Sequence, residues 1–400
     1  MAKLHPTYEE TCAHLSSAAK KSKIIRAKVA GRSVEGRELW LATVTDFGVP
    51  NDRKQVVLLT CGTHGSEESG RALGMAVLDW AQTPAARRTL RRQRILLFTC
   101  VNPDGARRDT YHNAADVNLF HAYRESGQCA APEAQAVWDV AMREKPEAYV
   151  DCHGLAGGSM HELVLPNIGR LCSSDNVIWQ TITNDMTCAA ERAGLPQQLS
   201  HPIECWTPEG TTTLQRLLWQ RFATLGWTLE MNEGYLTTAE TQRSGLSRLL
   251  ALFDYGNRRS FGLPFDGYPI YLGGGSMGGV IPHGRTPGER RANRAEVFPF
   301  LVHVPQFGRR PDKDGVCSVT LEIEKCDMRV PSAFGLMARL YPWCKVRKVS
   351  FAGKPLKLGG FPTGYAIDRS GCGPLVVTSI GYRLKPGNYE LRVEYRERKR

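Results

Sequence analysis

The chain has 400 residues, of which 42% are hydrophobic and 23% are charged, an ordinary composition for a globular protein with a substantial core. Its net charge of +12 suits an acidic substrate, but the basic residues are not interleaved with aromatic residues, which argues against nucleic-acid binding. No apolar stretch is long enough to cross a bilayer, so we expect no membrane-spanning helix.

The N-terminal segment and the cysteines bear on where the protein works. Met1–Lys20 is polar and lacks the apolar centre of a signal peptide, which predicts a cytoplasmic protein, or a secreted one if a signal was removed. The 12 cysteines form no C-x-x-C pair, and without a secretion signal we expect free thiols. If the protein is exported, the best candidates for disulfides are Cys317, Cys326, Cys344 and Cys372.

Up to residue 257, short apolar runs alternate with segments of helical periodicity. Such runs predict strands that are buried on both faces of a sheet. Their alternation with helices predicts an α/β domain with a mixed, mostly parallel sheet flanked by helices. The predicted strands are Lys54–Cys61, Arg94–Val101, Ala148–Cys152 and Trp227–Met231, and the predicted helices are Glu67–Ala81, Glu133–Glu144, Asp175–Ala193, Thr212–Leu225 and Glu240–Asp254.

The composition changes after this first domain, which spans residues 1–257. Phe261–Gly288 is rich in glycine and proline, so residues 258–314 are predicted to be a linker or an irregular crossover. Beyond it, alternating polar and apolar residues predict a small all-β sandwich domain over residues 315–400. Its predicted strands are Cys317–Glu324, Leu375–Tyr382 and Tyr389–Tyr395.

Polar residues follow two of the predicted strands, at the sheet edge where α/β folds bind ligands. His64 and Glu67 come directly after the first strand, and His153 comes directly after the third. Imidazole nitrogens and carboxylate oxygens are zinc ligands, and three protein ligands leave a position for water, as in a catalytic zinc site. Asp151 could orient the His153 imidazole. Taken singly, each residue is more often structural, and the prediction of a zinc site rests on the set.

Glu230 lies inside the apolar run Trp227–Met231, where a carboxylate is costly unless it is paired or catalytic. Partial burial would raise its pKa and suit it to take a proton from a zinc-activated water. A structural, salt-bridged carboxylate is the alternative role for Glu230, and Glu233 is an alternative base. We predict that Glu230 is the catalytic base.

The residues also match a known family. From about Tyr8 to Asp254 the sequence resembles the zinc carboxypeptidases of the carboxypeptidase A type. The resemblance implies a mixed eight-stranded sheet flanked by helices, and one bound Zn²⁺. The landmarks that carry it are the stretch Gly31–Arg37, the first two ligands His64 and Glu67, the turn Asn102-Pro103-Asp104-Gly105, the third ligand His153 and the general base Glu230.

The substrate-binding positions depart from that family. Typical members carry an arginine, then Gly-Val-Asp-Leu-Asn-Arg-Asn, whose Asn-Arg pair binds the terminal carboxylate of the substrate. Aligned without gaps, this chain keeps the asparagine as Asn118 but has Leu119, which offers no donor, in place of the arginine. Arg107 or Arg108 could be the preceding arginine, and Arg108 could steady a developing oxyanion. Either Arg124 or another cation replaces the lost anchor, or the substrate has no free carboxylate there.

Three functions remain open at this point. The leading hypothesis is a divergent metallocarboxypeptidase that hydrolyses a peptide-type amide bond in a peptide or amide substrate, possibly an acidic one. The second is a zinc amidase or deacylase acting on a modified, acylated or cell-wall-derived amide, because Gly62–Glu67 also resembles deacylases of N-acylated amino acids. The third is a non-catalytic binding module, against which the intact ligands and base argue. The sequence does not predict the oligomeric state.

Overall fold

The architecture is taken from a computed structural model, which describes the first 258 residues in long stretches and the remainder in short ones. The described residues are 6–124, 126–155, 163–166, 177–194, 212–222, 224–232, 236–258, 261, 281–282, 286–288, 301–303, 316–325, 332–334, 337–339, 344–359, 364–368, 375–381 and 387–397. They fall into two compact units, the first made of residues 1–167, 181–218 and 224–258, and the second of residues 168–180, 219–223 and 259–400.

The first unit is built from a seven-stranded sheet and helices. Its strands are β1 (Ile25–Arg32), β2 (Glu38–Val44), β3 (Gln55–Cys61), β4 (Gln93–Phe98), β5 (Ala148–Leu155), β6 (Leu163–Pro166) and β7 (Leu225–Asn232). Its helices are α1 (Tyr8–Lys21), α2 (Glu68–Ala81), α3 (Arg87–Arg92), α4 (Pro103–Arg108), α5 (Pro132–Glu144), α6 (Val177–Arg192), α7 (Leu214–Phe222) and α8 (Thr238–Arg258).

The sheet has the strand order β1-β2-β4-β3-β5-β7-β6. Parallel pairing joins β4, β3, β5 and β7, while β2 and β6 run antiparallel to their neighbours. This confirms the predicted mixed, mostly parallel sheet flanked by helices. Every residue of β3 is buried, as expected for a central parallel strand with both faces covered. The described residues contain seven strands of this sheet, where the family resemblance implies eight.

The helices start where the sequence supplies caps. Thr7 and Glu10 form a reciprocal capping box at the start of α1. The Asn102 side chain accepts a hydrogen bond from Gly105 N at the start of α4, whose first residue is Pro103. In the described part of the chain, no helix is both long and apolar enough to cross a membrane.

After residue 258, the described residues of the second unit lie mainly in β-strands. Two antiparallel sheets have the orders β14-β13-β17-β10-β9 and β12-β16-β11-β8, and β15 pairs with β16. Among the described residues of 315–400, this confirms the predicted antiparallel β-structure. Two of the strands lie within residues 258–314, most of which, like the predicted Gly/Pro-rich segment, are outside the described residues. The strands are β8 (Ile281–Pro282), β9 (Leu301–His303), β10 (Val316–Lys325), β11 (Ser332–Phe334), β12 (Met337–Arg339), β13 (Cys344–Phe351), β14 (Lys354–Pro355), β15 (Gly364–Asp368), β16 (Leu375–Gly381) and β17 (Gly387–Glu397).

Candidate metal centre

Three neighbouring parallel strands bring the predicted site residues to one edge of the sheet. His64 lies just after β3, and Glu67 is the residue that precedes α2. His153 lies in β5, and Glu230 in β7 is its register partner, so both side chains leave the same face of the sheet. The parallel order of these strands is therefore what assembles residues that are far apart in the sequence.

The side chains of His64, Glu67 and His153 converge on one point. His64 Nδ1 lies 2.8 Å from Glu67 Oε1, and His153 Nδ1 lies 2.9 Å from Glu67 Oε2. The two Nδ1 atoms are 3.2 Å apart. All three residues are buried, and together they form a group that could hold a metal ion.

The geometry and charge of this group fit Zn²⁺. Ligand atoms about 2.1 Å from a tetrahedral zinc are about 3.4 Å from one another, so only small outward shifts are needed. Two imidazole nitrogens face each other across the same point, an arrangement that a shared cation satisfies. Burial lowers the pKa of His153, but Asp151 and Glu67 raise it well above its ordinary value. The surroundings of His153 thus favour positive charge, which a divalent cation supplies.

Each imidazole is also contacted on its far side. Asn118 Oδ1 lies 3.0 Å from His64 Nε2, and Asp151 Oδ2 lies 3.0 Å from His153 Nε2. Asp151 Oδ1 in turn accepts hydrogen bonds from the Thr60 and Thr63 hydroxyls. Acceptors at Nε2 favour a proton there and leave Nδ1 free to ligate a metal, which is how outer partners orient histidine ligands.

The two glutamates of the site have opposite electrostatic environments. Burial tends to raise the pKa of Glu67, but the His153 and His64 imidazoles lower it to about 2. Burial raises the pKa of Glu230 to about 7; His153 opposes this rise, and the Glu67 and Asp151 carboxylates add to it. Glu67 therefore stays ionised as a ligand should, whereas Glu230 has the proton affinity of a general base that works near neutral pH.

The two predicted substrate-binding residues have different surroundings. Asn118 lies at the site, but its side-chain oxygen contacts His64 and accepts a hydrogen bond from Phe120 N. Arg108 is half-exposed at the end of α4 and forms an ion pair with Glu35. Leu119, where the ungapped alignment expects an arginine, is fully buried.

Sequence reasoning missed three residues beside the metal ligands. The Tyr111 ring stacks on the His64 ring with 3.6 Å between their centroids. The Phe120 ring lies 5.1 Å from the His153 ring and 4.9 Å from the His121 ring. Their spacing carries no periodic signal, because this segment is irregular apart from one short 3-10 helix.

Comparisons with known proteins find similarity to zinc carboxypeptidases. A model of the family described as "Zinc carboxypeptidase" matches residues 11–162. A curated "Zinc carboxypeptidase" of Saccharothrix mutabilis subsp. capreolus is 24% identical over 119 residues, which are 28% of this chain. The match spans 26%, about a quarter, of that relative's length.

Solved structures of the same fold are also found. A metallo-carboxypeptidase from Burkholderia cenocepacia aligns with a TM-score of 0.54 at 20% identity, covering 64% of this chain and 70% of its own. Carboxypeptidase A from Helicoverpa armigera aligns with a TM-score of 0.53 at 17% identity, covering 64% of this chain and 73% of its own. The carboxypeptidase-like fold and the resemblance predicted from the sequence are confirmed.

The backbone conformation indicates a different alignment of this segment with the Gly-Val-Asp-Leu-Asn-Arg motif of the family. Asp116 has a φ of 58°, a left-handed conformation that favours glycine. If Asp116 takes the place of the glycine in Gly-Val-Asp-Leu-Asn-Arg, the motif shifts by two residues relative to the ungapped alignment. Asn118 then stands at the aspartate position and His121 at the arginine position.

Proposed function

We propose that the chain is a zinc-dependent hydrolase that cleaves a peptide-type amide bond, and the match of residues 11–162 to the zinc carboxypeptidase family model supports this proposal. The observation that carries the proposal is the convergence of two imidazoles and one carboxylate, with a second carboxylate on the neighbouring strand. A purely structural cluster has no need of a partly buried base with a raised pKa beside it.

The roles of the four side chains follow from their positions. His64, Glu67 and His153 would hold Zn²⁺, which when bound supplies a Lewis acid for the scissile carbonyl and makes a water more acidic. Glu230 would accept a proton from the attacking water and return it to the leaving nitrogen. The reaction consumes one water and forms one carboxylic acid and one amine. Glu230 passes the proton that it takes from the water to the leaving nitrogen, and it ends the reaction in its starting, ionised state.

The substrate class that we propose first is a peptide with a free C-terminus, as for a divergent metallocarboxypeptidase. A specific observation favours the second candidate, an amidase or deacylase. Leu119 is an apolar, fully buried residue and the Arg108 guanidinium is paired with Glu35, so neither supplies a free cation for a terminal carboxylate. The two candidates differ in whether the substrate needs that carboxylate.

One panel of substrates tests the proposal. Peptides of one sequence with free and with amidated C-termini would be assayed with and without a chelator, followed by addition of zinc. We expect cleavage of the free peptides, loss of activity with the chelator and recovery with zinc. His64→Ala should bind no stoichiometric zinc, whereas His14→Ala, which removes a half-buried histidine paired with Asp79, should behave as the wild type.

Each contrary result has its own meaning. Equal cleavage of the amidated peptides would exclude the exopeptidase and favour the amidase. Activity that a chelator does not affect would exclude the zinc mechanism. Zinc binding without cleavage of any peptide or acylated amide would favour a binding module.

A further inference from the structure

Tyr111 is held over the metal centre by the backbone around it. Helix α4 is capped by Asp109 in a left-handed conformation, with a φ of 57°, and the chain then turns back towards the sheet. Gly65 N donates a hydrogen bond to Tyr111 O at 3.3 Å, which ties this turn to the loop that carries His64. The Tyr111 and His64 rings stack with 21° between their planes. The position of the phenol therefore depends on the same loop as the first metal ligand.

The Tyr111 hydroxyl and the Asn118 side chain form a hydrogen bond. The other contacts of Asn118 indicate which of these two groups donates it. Asn118 Oδ1 already contacts His64 Nε2 and accepts from Phe120 N. The group left for Tyr111 is the amide nitrogen of Asn118, which can only donate. Burial raises the pKa of Tyr111 to about 12, and the hydrogen bond from Asn118 opposes this rise, as donation to the phenol oxygen would. The Tyr111 hydroxyl therefore accepts from Asn118 and does not use its own hydrogen in this hydrogen bond.

We propose that Tyr111 is a catalytic residue of this site, whose hydroxyl donates a hydrogen bond to the scissile carbonyl oxygen as negative charge develops there. This inference rests on the proposed hydrolase function. Tyr111 is 45% exposed, so a substrate can reach it. It also interacts electrostatically with Glu67, His153 and Glu230, which places it in the same site as the ligands and the base.

Arg108, for which the sequence suggests a role in steadying the oxyanion, and its neighbour Arg107 both form ion pairs elsewhere. Arg107 Nη1 lies 3.0 Å from a Glu9 carboxylate oxygen, and Arg108 pairs with Glu35. Both arginines are exposed at the end of α4, three and four residues before the tyrosine. A phenol can take the role because it is a neutral donor at neutral pH, and donors aimed at a developing oxyanion contribute more to the rate than to substrate binding.

The alternative is that Tyr111 only packs on His64 and positions that ligand. Tyr111→Phe separates the two roles, because it keeps the ring and removes the hydroxyl. We expect kcat to fall by about 10²-fold with KM changed by less than about 3-fold, as for the loss of an oxyanion donor. The zinc affinity, measured by calorimetry on the metal-free protein, should not change. Binding of a phosphonate analogue of the cleaved peptide, which carries the charged oxygen, should weaken by a factor similar to that of kcat.

Tyr8→Phe is the matched control, since it removes a phenol that donates to Glu38 O away from the site. Its kinetics should equal those of the wild type. Full activity and full phosphonate affinity in Tyr111→Phe, with a wild-type enzyme that needs zinc, would overturn the role of Tyr111 and leave the proposed function standing. A loss of zinc affinity in Tyr111→Phe would reduce it to a positioning residue. A wild type that cleaves no amide would overturn both proposals.

Discussion

Glu230 has neighbours that suit a base more than a structural carboxylate. The residues on either side of it, Leu229 and Met231, are fully buried, and Glu230 itself is partly accessible. Replacing it with glutamine keeps the size and hydrogen-bonding capacity of the side chain but removes its ability to accept a proton. We expect Glu230→Gln to bind zinc as the wild type does and to lose about 10³-fold in kcat/KM, within the range for general bases.

Metal content and steady-state kinetics of the purified variant check this expectation. Glu9→Gln, which changes an exposed glutamate on α1, is a suitable control with unchanged kinetics. Undiminished activity in Glu230→Gln would assign the base to Glu233, which lies outside the described residues.

The same residue predicts the pH dependence. A general base works only when it is deprotonated, and burial raises the pKa of Glu230 to about 7. The value of kcat/KM should therefore rise with pH and level off above the pKa. Because a bound zinc ion lowers the pKa of a nearby carboxylate, the midpoint should lie at or below pH 7. A pH profile of kcat/KM measures this midpoint. A midpoint well above pH 7 would contradict the assignment of the rise in kcat/KM to deprotonation of Glu230.

Single residues could be predicted from the sequence where a strand determined their direction. His153 and Glu230 are each embedded in an apolar run, so the side to which they point follows from strand alternation. Tyr111 and His121 could not be found in this way, because an irregular loop carries them. Asp116 adopts a left-handed conformation there, which aspartate tolerates more readily than most residues but does not require.

At the level of elements, the contact between α2 and β5 positions one ligand against another. Gly70 lies in the first turn of α2, and a Cβ at this position would be 2.3 Å from Cys152 O in β5. The absence of a side chain thus lets Glu67, just before the helix, approach His153. We expect Gly70→Ala to push the helix from the strand and weaken zinc binding by about 10- to 100-fold, as for perturbed outer contacts.

Gly74→Ala provides a control on the same helix. It has the same favourable effect on helix propensity, about 1 kcal/mol, but a Cβ there would approach the Cys61 side chain at 3.3 Å and the Thr99 backbone no closer than 3.8 Å. Calorimetric titration of zinc into both metal-free variants makes the comparison. Equal zinc affinity in Gly70→Ala and Gly74→Ala would show that this close approach does not position the ligand.

In the first sheet, strands that are buried on both faces could be predicted from the sequence, whereas the more exposed β1 could not. The apolar runs of β3, β4, β5 and β7 are continuous, and each predicted strand overlaps the observed one. Only one residue of β1 is fully buried, so its pattern is too polar for such a rule. A predicted strand boundary differs from the observed one where polar residues are paired inside the strand. The strand β5 continues to Leu155, so His153 lies within it and not after it.

At the scale of the whole molecule, the metal centre belongs to one unit. All seven strands of its sheet lie before residue 258, and so do the three ligands and Glu230. Residues 259–400 supply none of these groups, and the all-β part has its own buried residues, such as Val349, Leu391 and Val393. We therefore propose that residues 1–257 form a domain that builds the site by itself, followed by the region 258–314 and the β domain 315–400.

A chain that ends after Arg258 tests this division. We expect it to unfold in one cooperative transition and to bind one zinc ion with an affinity within about 3-fold of the full chain, because every ligand and its outer partner is retained. Zinc should raise its melting temperature, since a ligand that binds only the folded state stabilises that state. A truncated chain that is unfolded both with and without zinc would instead make the β domain part of the folding unit. Truncation that spares zinc binding but raises KM would assign the β domain a role in holding the substrate.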